Sequence, residues 1–277
     1  MPGTIFAHAP IAATVGATVG LVLASASASA SASASASAST LLQQSQSDPR
    51  YKVHDMSRPQ PPVVTPGAPS TQAKAGTAPS DAIVLFDGKD LSKWRTGNGD
   101  AAWRIVDGVV EVAPGSGSLT TRESFGDCQF HIEWMVPTSL EPDGQKGCNS
   151  GVFFMEMYEV QILHSHDNET YPDGMAGSLY GQYPPLVNAC RPQGQWNTYD
   201  ILFTAPRFDE DGSVKTPASC TVIFNGIVVQ NDVDFFGRTA HKRPAAYSKH
   251  PDRLPISIQD HGDKLRFRNI WVRPLGE

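Results

Sequence analysis

Several ionisable side chains recur at a spacing that could bring them to one surface. Read with period two, Tyr158-Glu159-Val160-Gln161-Ile162-Leu163 places Tyr158, Val160 and Ile162 on one face and Glu159, Gln161 and Leu163 on the other. The run Asn149-Ser150-Gly151-Val152-Phe153-Phe154 lies just upstream. Phe130-His131-Ile132-Glu133-Trp134 has the same grammar, with His131 and Glu133 turned away from an apolar face. One such strand would read as the solvated side of a sheet. Two of them, each offering an acid beside an imidazole or amide, point to a shared polar surface or cleft.

Other groups carry weaker signals. His164-x-His166 with Asp167 has metal-ligand spacing but no evident third ligand, so surface histidines are the expectation and no metal site is assigned. The acidic turn Asp209-Glu210-Asp211-Gly212 leaves room for calcium or another divalent ion, although a solvated hairpin loop explains it equally well; no other cofactor is indicated. None of the four cysteines forms a C-x-x-C pair, so zinc is not indicated. Cys148 and Cys190 could staple the irregular stretch between them, while Cys128 and Cys220 fall inside strands as buried thiols or a second bridge.

The elements that must position these groups are short strands. Ile83 to Phe86 ends at Asp87-Gly88, and Trp103 to Val106 joins Val109 to Val112 through Asp107-Gly108. A long alternating strand from Cys128 to Val136 stops before Pro137. Strand character resumes at Trp196 to Phe203, then in a hairpin turning at Asn225-Gly226, and finally in two strands flanking Asp260-His261-Gly262-Asp263. No segment holds a helical period. The pattern predicts an all-β sandwich or jelly roll over residues 81–277.

Upstream of that domain, residues 1–39 combine a short apolar run with an Ala-Ser tract and read as a signal peptide, although no Lys or Arg precedes Arg50. Residues 40–80 are rich in Pro, Ser and Gln and are expected to form a disordered leader or linker. A secreted or periplasmic protein is the expectation, with no transmembrane segment in the mature chain. The formal net charge is -6 and the charges are dispersed, which argues against a nucleic-acid partner.

In order along the chain, Leu85-Phe86-Asp87-Gly88-Lys89-Asp90-Leu91-Ser92-Lys93-Trp94, Phe125-Gly126-Asp127, Asn149-Ser150-Gly151-Val152-Phe153 and Tyr158-Glu159-Val160-Gln161-Ile162 resemble the 3-keto-disaccharide hydrolase domain family. Trp196-Asn197-Thr198-Tyr199, Asn225-Gly226, Gln259-Asp260-His261-Gly262 and the closing run Arg266 to Leu275 complete the resemblance, which covers essentially all of residues 81–277. It implies a concanavalin-like jelly-roll sandwich of two curved antiparallel sheets, a saccharide substrate and cleavage of 3-keto-glycosides. Relatives often show an Asp near the position of His164, where this chain carries an imidazole.

The implied chemistry assigns roles. A ketone at C3 acidifies the hydrogen at C2, so a base can remove it, the C1 oxygen can leave, and water can add back. Glu159 is the candidate base, His261 the candidate proton-transfer group and Glu133 a second carboxylate. Gln161, Asn149, Arg268 and Trp196 are candidate substrate-binding residues. Two alternatives remain open from sequence: an ordinary jelly-roll glycoside hydrolase using Glu133 and Glu159 as a carboxylate pair, and a non-catalytic carbohydrate-binding module.

Overall fold

The computed structural model describes residues 50–146 and 148–276. The chain divides into two compact units, Met1–Pro62 and Val63–Glu277. The expected signal peptide, and the linker up to residue 49, lie outside the described residues. Within the first unit, residues 50–62 form turns and extended chain, with the Arg58 guanidinium 5.5 Å from the centre of the Tyr51 ring. No helix among the described residues is long and apolar enough to cross a membrane.

The second unit is a two-sheet antiparallel sandwich. Its strands are β1 (Ile83–Phe86), β2 (Trp94–Thr96), β3 (Gly99–Asp100), β4 (Arg104–Val106), β5 (Val109–Glu111), β6 (Leu119–Phe125), β7 (Cys128–Met135) and β8 (Asn149–Phe154). There follow β9 (Tyr158–Leu163), β10 (Asn197–Thr204), β11 (Arg207–Phe208), β12 (Val214–Thr216), β13 (Ser219–Phe224), β14 (Ile227–Asp234), β15 (Leu254–Ile258) and β16 (Arg266–Pro274). The eight-stranded sheet runs β14-β13-β10-β7-β16-β5-β4, with β1 also paired to β16. The six-stranded sheet runs β3-β2-β6-β15-β8-β9, and β11-β12 is a separate ribbon. This is the jelly-roll sandwich expected from the sequence.

Local chemistry explains the connections. Asp107 and Gly108 (φ 52° and 74°) and Asn225 and Gly226 (φ 52° and 82°) adopt the two left-handed positions of a type I′ turn, whose twist matches the flanking strands. Between the sheets, Phe130 meets Phe154 edge-on at 5.7 Å, and Phe154 stacks on Phe203 at 4.5 Å. Such rings bury large apolar areas and dominate the core. Trp94 is fully buried and donates its indole N–H to the Leu85 carbonyl at 2.8 Å, closing the first characteristic run onto itself.

Two findings differ from the sequence reading. All four cysteines are buried free thiols, so the suggested staple between Cys148 and Cys190 is not formed. The compact unit also starts upstream of Asp81. Residues 63–80 fold back on themselves, with Thr77 N–H donating to Ala68 O and Ser80 N–H to Thr65 O. They lie against the eight-stranded sheet, where Gln72 and the Trp196 backbone exchange two hydrogen bonds of 2.9 and 2.7 Å. A Pro-rich strap without apolar periodicity can still be ordered when its polar groups find fixed partners.

Candidate active site

The outer face of the six-stranded sheet carries a cavity of about 420 Å³. Its floor comes from alternate residues of β8 and β9, since directly opposed pairs share a face: Gly151 lies across from Gln161 and Phe153 across from Glu159. The intervening Val152, Phe154, Val160 and Ile162 fill the core. Gly151 gives the Glu159 carboxylate its room. A Cβ at that position would meet the Glu159 Oε1 at 2.5 Å, so any larger residue would push the carboxylate from this position.

Glu159 is 4% exposed, and no cation lies within ion-pair distance of it among the described residues. Burial alone pushes its carboxyl up to about 8, because desolvation penalises the charged form. Its nearest polar support is Gln161. In the amide orientation that turns its nitrogen towards the carboxyl, Gln161 donates to Glu159 Oε1 at 2.9 Å and to the Ser150 carbonyl at 3.1 Å. Asn149 also lines the cavity, and its amide donates to the Gln145 carbonyl at 3.0 Å.

Besides the β7–β8 connection that carries Gln145 and Lys146, three irregular segments build the walls. The first follows β9 and seals its free edge: Gln161 N–H donates to Ser178 O and Gly177 N–H to Gln161 O. This pairing delivers Tyr171 and Tyr180 to the rim, where their hydroxyls are 2.7 Å apart. The second segment is anchored by Thr239, whose backbone N–H donates to Met157 O and whose hydroxyl accepts the Glu159 N–H at 3.1 Å. Gly237 (φ 139°) lets this loop fold tightly, since a Cβ there would lie 2.3 Å from the Ala246 backbone. The loop presents His241, whose Nδ1 is 2.9 Å from the Tyr180 hydroxyl.

The third segment is the Gln259-Asp260-His261-Gly262 turn. Asp260 accepts the backbone N–H groups of Gly117 and Gly262 at 3.0 Å each, and Asp263 accepts that of Asn149 at 3.0 Å. The two aspartates clamp the turn to both neighbouring segments, and His261 projects into the cavity. The carboxylates of this motif therefore fix the turn that carries the histidine.

Glu159, Gln161, Asn149 and His261 are thus brought together, whereas Glu133, Arg268 and Trp196 are not. These three belong to the outer face of the other sheet. There Glu133 Oε2 accepts Arg268 Nε at 2.7 Å, and Oε1 accepts Asn269 Nδ2 at 2.7 Å and the Ser70 hydroxyl. Burial would push the Glu133 carboxyl up, but hydrogen bonds from His131, Ser70, Asn269 and Arg268 bring it down to about 2. The Arg268 guanidinium lies 4.2 Å from the Trp196 ring centre, so that indole stacks on a cation. Glu133 and Glu159 sit on opposite outsides of a sandwich whose sheets are about 10 Å apart. A carboxylate pair flanking one glycosidic bond is excluded by that separation.

Sequence reasoning missed Gln145, Lys146, Phe153, Tyr171, Tyr180, Thr239 and His241, all of which line the cavity. Most lie in segments without periodicity, where the only cue is that irregular chain tends to carry function. His164 also departs from expectation: it is buried, and desolvation first, then His166, lowers its pKa. No group of three or more His, Cys, Asp or Glu side chains placed to hold a metal occurs among the described residues.

Residues 81–273 match the 3-keto-alpha-glucoside-1,2-lyase-like domain family. The chain belongs to this family. The match includes every wall of the cavity and leaves out the strap at 63–80. A 3-keto-disaccharide hydrolase from Bacteroides thetaiotaomicron is 26% identical over 243 residues, spanning 70% of this chain and 78% of that protein. A candidate glycosyl hydrolase from Parabacteroides distasonis superposes with a TM-score of 0.77 at 47% identity, covering 80% of this chain and 95% of the other. A second P. distasonis candidate glycosyl hydrolase shares the fold, with a TM-score of 0.51 at 19% identity.

Proposed function

We propose that this protein is a glycoside-acting enzyme that cleaves 3-keto-glycosides by elimination followed by hydration. The observation that carries the reading is Glu159, a carboxyl desolvated at the floor of a polar cavity with its pKa raised to about 8. An ordinary carboxylate is a poor match for a carbon acid. One poised near neutral pH removes such a proton more effectively while remaining partly ionised.

In this mechanism Glu159 takes the C2 proton, and the C–H electrons form an enolate on the C3 oxygen. Collapse of the enolate makes the C1–C2 double bond and breaks the C1–O bond. His261 supplies the proton that the departing oxygen takes up. Water then adds across the double bond, oxygen to C1 and hydrogen to C2, so the balance is hydrolysis. Lys146, exposed on the cavity wall, supplies positive charge for the enolate oxygen. Gln161 and Asn149 hold sugar hydroxyls. The Ala-Ser tract supports a site of action outside the cytoplasm.

Incubation with a 3-keto-disaccharide and with its unoxidised parent in D2O tests the reading. The expected result is cleavage of the keto form alone, with deuterium at C2 of the product. Cleavage of the parent sugar, or of the keto form without deuterium at C2, would overturn it.

A further inference from the structure

The cavity above Glu159 does not end at Tyr180. Tyr171, Tyr180 and His241 form a shared wall, and beyond it lies a second lobe of about 490 Å³. Together the lobes have the size of a cleft for two sugar rings rather than one. The rings of Tyr171 and Tyr180 meet edge to face at 6.2 Å, and Tyr171 is 42% exposed, presenting an aromatic surface on which a pyranose can stack.

The rim of this second lobe is cationic. Lys242 and Arg243 both line it and are exposed, and neither has a carboxylate within 4.0 Å among the described residues. Asp173 is the one carboxylate in the lobe and forms no ion pair with either. Lys242 also holds a left-handed backbone (φ 54°), a conformation that costs a non-glycine residue energy and clusters at ligand clamps. The first lobe adds the exposed Lys146 on its wall. A cleft this cationic is unexpected in a chain with a formal net charge of -6.

We propose that the second lobe is a subsite for an anionic sugar, so that the preferred substrate joins the oxidised ring to a ring bearing a carboxylate or a phosphate ester. Arg243 reads the oxyanion through paired N–H donors and Lys242 adds a point charge, while Tyr171 carries the ring. This deepens the proposed function, because it assigns the half of the substrate that departs.

Calorimetric titration of the full chain with glucuronate, glucose 6-phosphate and glucose tests the subsite without turnover, and so separately from the elimination mechanism. At least one acidic sugar should bind about tenfold tighter than glucose. The advantage should shrink with added salt. The K242A/R243A variant, its fold checked by thermal denaturation, should bind all three alike. Which acidic sugar gains more identifies the oxyanion. Equal binding of all three sugars to the wild type, or an acidic preference that survives in the variant, would overturn the proposal.

Discussion

The two outer faces of the sandwich each bury a glutamate on a strand of the same pattern, and they treat it in opposite ways. On the eight-stranded sheet, Glu133 is saturated with donors and held ionised at about 2. Its neighbour His131 is drawn down by burial, but the hydrogen bonds its ring donates to Asp200 and Glu133 more than offset this and hold it up at about 8. The ring also stacks on Trp271 at 4.9 Å, and the strap closes over the cluster through Ser70 and Thr71. On the six-stranded sheet, Glu159 has an amide beside it, no cation and an open cavity above it. A buried carboxylate that already accepts several hydrogen bonds from fixed protein donors has little capacity left for a substrate. One that is desolvated and under-bonded holds that capacity at the cost of stability.

The largest expected effect separates the faces by activity. Glu159→Gln should lower kcat on a 3-keto-disaccharide by about 10³-fold or more while the protein stays folded, as measured by steady-state kinetics. In the wild type, kcat/KM should climb with pH up to about 8 and level off, because the ionised form is the base. Stability should run the other way. A carboxyl raised from 4.5 to about 8 stabilises the fold fully below pH 4.5, and that contribution is lost as pH rises through 8. Above pH 8 the Gln variant should therefore be more stable than the wild type in denaturant unfolding, by a margin on the order of a few kcal/mol. A variant less stable than wild type there would mean that Glu159 is paired after all.

Next in size is the opposite outcome on the other face. Glu133→Ala strands the Arg268 guanidinium in a buried site and should cost about 3–5 kcal/mol in denaturant unfolding. Activity per folded molecule should be retained. The wild-type stability supplied by Glu133 should be present above pH 4.5 and lost as pH falls through about 2. Loss of activity without loss of stability would place Glu133 in the chemistry and erase the contrast.

The smallest effect sharpens the geometry of the reactive face. Gly151→Ala puts a methyl against the Glu159 carboxylate and should displace it, lowering kcat by about 10²-fold with little change in KM. Unchanged kcat would show that the carboxylate position is not critical.

Much of this was legible in the sequence because it is local. Period-two alternation, the Asp107-Gly108 and Asn225-Gly226 turns, and the absence of helical spacing determine an all-β sandwich with Glu159, Gln161 and Asn149 turned away from the core. The Asp260-His261-Gly262 turn marked a functional loop for the same reason. What the sequence alone could not decide is which sheet each strand joins. His131-x-Glu133 and Glu159-x-Gln161 are equivalent as patterns, and only sheet order places them on opposite outsides of the sandwich. Long-range contacts also made the walls: Tyr180 and His241 each lie in irregular chain without periodicity and meet although β10 to β14 separate them in the sequence. Other long-range contacts order the Pro-rich strap, whose partners on the sheet lie 63 residues or more away. Local propensity sets the face a side chain takes. Its pKa, and therefore its chemistry, depends on the partners and the solvent that the tertiary fold brings to it or keeps away.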